Sequence, residues 1–443
     1  MGMTNAYVIE PFLKQAPSRT PDENIRRSPE ASLEEAVALT SAVKNINVVA
    51  SEILPLSKIE PGTLLTKGHI ENVKQTIEDH EIDLVIVDHD LSPIQQRNLE
   101  KTWKAKVIDR TGLILEIFGA RARTSEGKLQ VELAAMMFQK SRLVRSWTHL
   151  ERQRGGLGFV GGPGETQIEI DRRLIGEKIT KLKAELEKVR KTRKIQHKAR
   201  KSVPYPIVAL VGYTNAGKST LFNAMTGADV FAKDLLFATL DTTMRAILLE
   251  QDLKVILSDT VGFISDLPTH LIAAFRATLE EVEQADIILH VRDIAAEHSE
   301  AEKKDVLETL DELGINIHKS NNIYEVWNKI DLLDAEEQER LINIAERSSN
   351  IIAVSALKKT GLDVLEKLLV KNLKKYYQEI DIKIDYTDGD IVSWIYDHCT
   401  VVDRKDAEDH ILFHLKAPSD ILERLYAKLN SDNYKENITD AAH

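Results

Sequence analysis

Short apolar runs alternate with amphipathic stretches along most of the chain, the texture of an α/β protein. Residues 46–50 and 84–87 read as buried strands. Between them Ile70, Val73 and Ile77 recur at helical spacing within residues 69–79. A second helix is expected over residues 94–103, leading into a strand near Val107. This βαβα order predicts a small α/β domain with a largely parallel sheet. Ahead of it, residues 1–34 carry four of the twelve prolines and little periodicity, and read as a mobile leader.

An amphipathic helical region is expected over residues 113–149, broken near Ser125-Glu126-Gly127. The run from Arg154 to Gln167 then holds six glycines in fourteen residues, a density that no packed element tolerates, so it reads as a loop. Ile168, Ile175, Ile179, Leu182, Leu186 and Val189 follow as a heptad-like seam on a long helix. Pro204 and Pro206 end that helix. A second α/β alternation has strand candidates at residues 207–211, 246–249, 255–257, 287–291, 323–326 and 351–354, and a mixed α+β segment starts near Tyr376. The expected units are therefore a leader (1–34), an N-terminal α/β domain with helical region and Gly-rich loop (35–165), a helical segment and linker (166–203), a mostly parallel α/β domain (204–374) and a small C-terminal domain (375–443).

Charge divides these units further. The 443 residues carry 59 Lys and Arg against 70 Asp and Glu, a net −11 that by itself disfavours phosphate-rich partners. Yet Arg172 to Lys201 holds 13 basic residues against 3 Glu, whereas Asp381 to the end holds 14 acidic residues against 7 basic ones. The middle of the chain is thus suited to an anionic surface and the C-terminal domain is not; a merely solvated basic face is the competing reading. A single cysteine, Cys399, excludes an internal disulfide and a Cys-rich metal site, and points to the cytoplasm. No apolar run approaches the length needed to span a bilayer.

Three motifs carry chemistry. Gly212-Tyr213-Thr214-Asn215-Ala216-Gly217-Lys218-Ser219 fits G-x-x-x-x-G-K-[ST], preceded by an apolar strand and followed by a helix. Its glycines turn backbone N–H groups toward phosphate oxygens at a helix N-terminus; Lys218 is expected on the β- and γ-phosphates and Ser219 on Mg²⁺. Asp259-Thr260-Val261-Gly262 follows another strand, about 40 residues on. Asp259 can hold a Mg²⁺-bound water there, and Gly262 lets its amide approach the γ-phosphate. Asn328-Lys329-Ile330-Asp331, after a third strand, selects the base. The Asp331 carboxylate accepts from guanine N1–H and N2–H₂, which adenine lacks; Lys329 lies over the base, and Ser355-Ala356 offers an amide to guanine O6.

In this order the motifs resemble GTPases of the class containing the Era, Obg and HflX branches. The resemblance narrows to HflX on Glu151-Arg152-Gln153-Arg154-Gly155-Gly156-Leu157-Gly158, Gly162-Pro163-Gly164-Glu165-Thr166-Gln167, Asp171-Arg172-Arg173, Asp109-Arg110-Thr111 and Phe237-Ala238-Thr239-Leu240-Asp241. It covers about residues 40–375. What it implies is a GTPase, hydrolysing GTP to GDP and phosphate with Mg²⁺, that binds the 50S subunit and its 23S rRNA and dissociates stalled 70S ribosomes under stress. The N-terminal domain is implied to reach the peptidyl-transferase region, and a secondary ATPase is known among members. Thr239 maps to the switch I threonine that joins Ser219 on Mg²⁺, with Thr242 and Thr243 as rivals because Thr242 stands where Pro is usual. Gly161 stands where Arg is frequent. Lys218, Thr239 and Gly262 are the implied catalytic residues, in a cytoplasmic monomer.

Phe263 stands where many GTPases place a water-orienting glutamine, so slow intrinsic hydrolysis is expected. Asn215 occupies the place where related GTPases hold K⁺; either that ion or a charge from the ribosome would then neutralise the transition state, or Asn215 merely caps the loop. Two other functions stay open at this point: a GTP-dependent ribosome-assembly switch, and an ATP-driven RNA remodelling factor, against which Asp331 argues.

Overall fold

The computed structural model describes residues 3–13, 27–153, 167–200, 205–227, 237, 242–249, 253–265, 282–312, 314–315, 322–374, 377–407, 409–431 and 438–439. The first segment corrects the reading of residues 1–34 as a mobile leader. Thr4–Leu13 is strand β1, joined by β2 (Ile46–Leu56), β3 (Leu84–Val87) and β4 (Lys106–Asp109) in a parallel sheet ordered β2-β1-β3-β4. Ala6, Tyr7, Val8 and Ile9 are all buried. Each large side chain so buried contributes roughly 1.5–3 kcal/mol, enough to outweigh the poor strand propensity of Pro11. Pro29 likewise marks order: it opens helix α1 (Pro29–Ser41), whose cap Ser28 accepts from the Ala31 amide at 3.2 Å.

Helices α2 (Lys67–Asp79) and α3 (Pro93–Trp103) follow where the apolar spacing predicts them. Asp109 ends β4 and immediately caps α4 (Arg110–Arg121), its carboxylate accepting from the Gly112 amide at 2.9 Å. The long helices α5 (Ser125–Gln153) and α6 (Gln167–Arg200) pack through Leu133, Ile179, Leu182 and Leu186, with Leu129, Met136, Met137 and Ile175 at the margin. The heptad-like spacing therefore identified a true buried stripe. The glycine-rich stretch expected as a loop falls on residues 154–166, outside those described.

A six-stranded sheet comes next: β5 (Ile207–Gly212), β6 (Thr243–Leu249), β7 (Leu253–Asp259), β8 (Ile287–Asp293), β9 (Ile323–Asn328) and β10 (Ile351–Ala353). Its order is β10-β9-β8-β5-β7-β6, parallel except where β6 runs against β7. Both faces are covered, so β5 reads as an unbroken apolar run. Val208 and Leu210 face one core; Ala209 and Val211 face another that continues into the N-terminal domain through Leu39, Ile86 and Phe118. The face of the sheet that carries Ala209 and Val211 thus shares a core with α1 and α4. Beyond it, β11 (Tyr377–Asp385), β12 (Thr400–Asp406), β13 (His410–Pro418) and β14 (Ile438–Thr439) form an antiparallel sheet, β12-β13-β11-β14, backed by helices Gly389–His398 and Ser419–Ser431. Alternate residues Ile380, Ile382 and Ile384 face its core.

Candidate nucleotide site

Strand β5 delivers the chain into the loop 213–217, and helix α7 (Lys218–Thr226) leaves it. Close approach dictates the glycines. A Cβ on Gly212 would lie 2.1 Å from the Val291 carbonyl oxygen, and one on Gly217, at φ +91°, 2.2 Å from Asn328 Nδ2. Asn215 takes the left-handed region at φ 60° and is exposed, a conformation Asn tolerates better than most residues. Amides at the start of α7 thereby face the loop, where the helix dipole favours an anion.

Lys218 is buried and its Nζ donates to the carbonyls of Gly212 (3.0 Å) and Tyr213 (2.7 Å). Burial pushes its ammonium down to about 8, although the Asp259 and Glu302 carboxylates pull the other way. Ser219 Oγ donates to Asp259 Oδ2 at 2.7 Å, which brings two hard oxygen ligands together at the strand tip. Thr260 is turned inward, its hydroxyl donating to the Leu210 carbonyl at 2.6 Å. Gly262 passes so close over the loop that a Cβ would sit 2.8 Å from Thr214 Cγ2 and 3.1 Å from Lys218 Nζ. The Thr214 amide donates to the Phe263 carbonyl at 2.7 Å, and the Phe263 amide to Gly212 at 3.1 Å.

At the other end of the site Asn328 acts as a clamp. Its Nδ2 donates to the Ala216 carbonyl (2.8 Å) and its Oδ1 accepts from the Ala356 amide (3.0 Å), tying the phosphate loop to residues 355–356. Lys329, at φ 64°, pairs with Asp293 at 2.7 Å. Ile330 is buried, and Asp331 accepts from Ser355 Oγ at 2.5 Å. These contacts bring the phosphate loop, Asp259–Gly262, Asn328–Asp331 and Ser355–Ala356 to one rim of the sheet.

Of the Phe237–Asp241 stretch, only Phe237 is among the described residues. Its ring is buried and packs edge-on against Phe118 of α4, centroids 4.7 Å apart. Its apolar surface gains more from that interdomain core than from a polar phosphate rim. Val261 is buried in the same core. Ala238, Thr239, Leu240 and Asp241 lie outside the described residues. Among the described residues no helix is long and apolar enough to cross a membrane.

Comparison with known proteins matches four regions in sequence order. Residues 30–119 match a family described as GTP-binding GTPase N-terminal, 121–200 a GTP-binding GTPase Middle Region, 207–329 a 50S ribosome-binding GTPase, and 340–429 an HflX C-terminal domain. The GTPase HflX of Magnetococcus marinus is 47% identical over 90% of this chain and 91% of that protein. The chain belongs to the HflX family of GTPases. The GTPase HflX of Escherichia coli is 42% identical over 82% of this chain and 85% of its own length, and that of Lacrimispora saccharolytica 41% over 94% and 95%. Of the site described above, the loop 212–219, Asp259–Gly262 and Asn328–Lys329 fall within the region that matches the 50S ribosome-binding GTPase.

In this HflX chain the fold also recruits residues that no motif singled out. Asp293, at the tip of β8, holds Lys329; its place at the carboxyl end of a parallel strand was the one available signal. Glu302, from helix Ser299–Glu312, is pushed up to about 7 by burial and the Asp293 and Glu35 carboxylates, against Arg27 and Lys329. Glu35 reaches Tyr213 and Ser265 from α1, across 178 and 230 residues of sequence, and no spacing announces it.

Proposed function

We propose that this HflX GTPase binds the 50S subunit in its GTP state and uses GTP to separate stalled 70S ribosomes. The observation that carries the reading is the surface of α6: Arg172, Arg173, Lys181, Lys183, Lys188 and Lys191 are all exposed on a chain that is acidic overall. A one-signed basic face beside a glycine-rich segment suits contact with RNA phosphates, and the acidic C-terminal domain would be repelled by them.

Within the GTP site Lys218 grips the β- and γ-phosphates, and Gly262 gives its amide to the γ-phosphate. Asp331 and Lys329 select guanine, with the Ala356 region offering an amide to O6. The oxygen pair Ser219–Asp259 fits Mg²⁺: Ser219, with Thr239, would hold the ion directly and Asp259 through water, and the bound ion neutralises phosphate charge. With Phe263 buried and paired to the loop, no side chain at that position orients water. Turnover is therefore slow alone, and either K⁺ beside Asn215 or a ribosomal charge accelerates it.

The test is a density-gradient profile of 70S ribosomes with the protein in GTP, a non-hydrolysable analogue, GDP and no nucleotide. Free subunits with GTP support splitting; a bound but intact 70S peak, or binding only to immature 50S particles, assigns an assembly role instead. Turnover in KCl and in NaCl, with and without 50S, isolates the ion, and equal fast rates in all four reject it. Competition of ATP against labelled GTP decides whether adenine nucleotides use this site.

A further inference from the structure

The Asp109-Arg110-Thr111 motif stands apart from every nucleotide contact, yet Arg110 lies at the centre of a buried polar network that joins α1, α4, the phosphate loop and Ser265. It starts α4 and is 8% exposed. Its Nη1 donates to both oxygens of Asp88 (2.7 and 2.9 Å), and its Nη2 to Glu35 Oε1, to the Ser265 carbonyl (3.0 Å) and to Ser265 Oγ (2.8 Å). Glu35, from α1, is 9% exposed and also accepts from Ser265 Oγ (3.0 Å), from Arg27 and from the Tyr213 hydroxyl. The Tyr213 oxygen in turn accepts from the Ser265 amide at 2.6 Å, and the Arg27 guanidinium lies over the Tyr213 ring at 4.5 Å. Against the cost of burial, Arg110 and Arg27 hold the Glu35 carboxyl below its ordinary value, so it stays an anion.

This network ends on both sides of the γ-phosphate position. Tyr213 opens the phosphate loop, and its carbonyl receives Lys218 Nζ. Ser265 lies three residues beyond Gly262, whose backbone rests against Lys218 and Thr214. One carboxylate from the N-terminal domain therefore holds both Tyr213, whose carbonyl receives Lys218, and Ser265, three residues along the chain from Gly262. We infer that Glu35, clamped by Arg110, is a positioning residue for GTP hydrolysis, aligning Lys218 and Gly262 and making the catalytic geometry depend on the docking of the N-terminal domain. Guanine recognition, at the opposite end through Asp331, is untouched by it. A bidentate guanidinium suits the role because its planar fork holds two carboxylates in fixed register, which a lysine cannot.

The experiment is a mutant cycle in the full-length protein: Glu35→Gln, Tyr213→Phe, Ser265→Ala and the pairs with Glu35→Gln, each assayed for kcat and KM with GTP. The expected result is a fall in kcat of about tenfold for Glu35→Gln with KM within about twofold, and no further loss when Tyr213→Phe or Ser265→Ala is added, because all act through one chain of contacts. Unchanged kcat in the single variants, losses that multiply in the doubles, or a parallel rise in KM would each overturn the inference. Should Glu35→Gln fail to fold, the single variants Tyr213→Phe and Ser265→Ala decide, each expected to lower kcat with KM within about twofold, and an unchanged kcat in both overturning the inference, since each removes only a hydroxyl.

Discussion

Lys218 offers a direct measurement of the desolvation built into the GTP site. In the free protein its ammonium is buried on two carbonyl oxygens and titrates near 8, well under the ordinary lysine value of 10.5. A bound triphosphate supplies several negative charges to the same atom and returns its pKa to the ordinary range or above. Between about pH 8 and that range the free protein lacks a proton that the complex carries, so binding takes one up. The uptake follows from the two values: about 0.1 proton per nucleotide near pH 7 and about 0.5 near pH 8. The apparent Kd should rise about fivefold from pH 7 to roughly pH 8.7, below the range where guanine N1 ionises. The assay is titration calorimetry with a non-hydrolysable GTP analogue at pH 8, in two buffers of different ionisation enthalpy. Repetition on Glu302→Gln removes the neighbouring group that titrates near 7. A binding enthalpy independent of buffer in that variant would show that Lys218 keeps its proton in the free protein, and would refute the reasoning.

Other outcomes follow from single contacts. Gly217→Ala should weaken GTP binding by at least about tenfold, from left-handed strain plus collision with the Asn328 clamp. Gly227→Ala, at φ +61° with open space around a Cβ, carries the strain alone and should leave affinity within about threefold; equal losses on a filter-binding assay would count against the clamp. Glu302 holds its proton longer folded than unfolded, so it costs stability increasingly as pH rises from its ordinary 4.5 toward 7. Glu302→Gln should therefore raise the melting temperature of the nucleotide-free protein at about pH 8, by the equivalent of up to about 3 kcal/mol, and not at about pH 5. Charge reversal at Arg172, Arg173, Lys191 and Arg193 should abolish ribosome co-sedimentation at moderate salt and flatten its salt dependence by about 0.7–0.9 in logarithmic slope per phosphate contact removed. Unaltered binding would remove α6 from the interface.

Much of the fold is legible in local pattern. The strands β3, β5, β8 and β9 and helices α2, α3 and α6 stand where apolar periodicity puts them, because each has a buried stripe or run that its neighbours do not share. The leader is the instructive failure. Four prolines and weak periodicity in residues 1–34 suggest a mobile segment, but β1 is stabilised by parallel partners that begin 42 and 80 residues later, a pairing that no local window contains. The burial of Phe237 is likewise out of reach of any local window, because the Phe118 ring it packs against comes from α4.

By itself the sequence determined the phosphate loop, the acidic strand tip and the Asn328–Asp331 turn as local features. Their chemistry depends on residue types at short, fixed spacings, where a glycine either admits a backbone approach or a side chain forbids it. Tertiary structure alone decided which distant groups complete that site. Asn328 became a clamp, Asp293 the partner of Lys329, and Glu35 with Arg110 the link from the N-terminal domain to the loop and Ser265. Buried charges must find partners wherever the packed core leaves them, and that requirement acts through space and leaves no period along the chain.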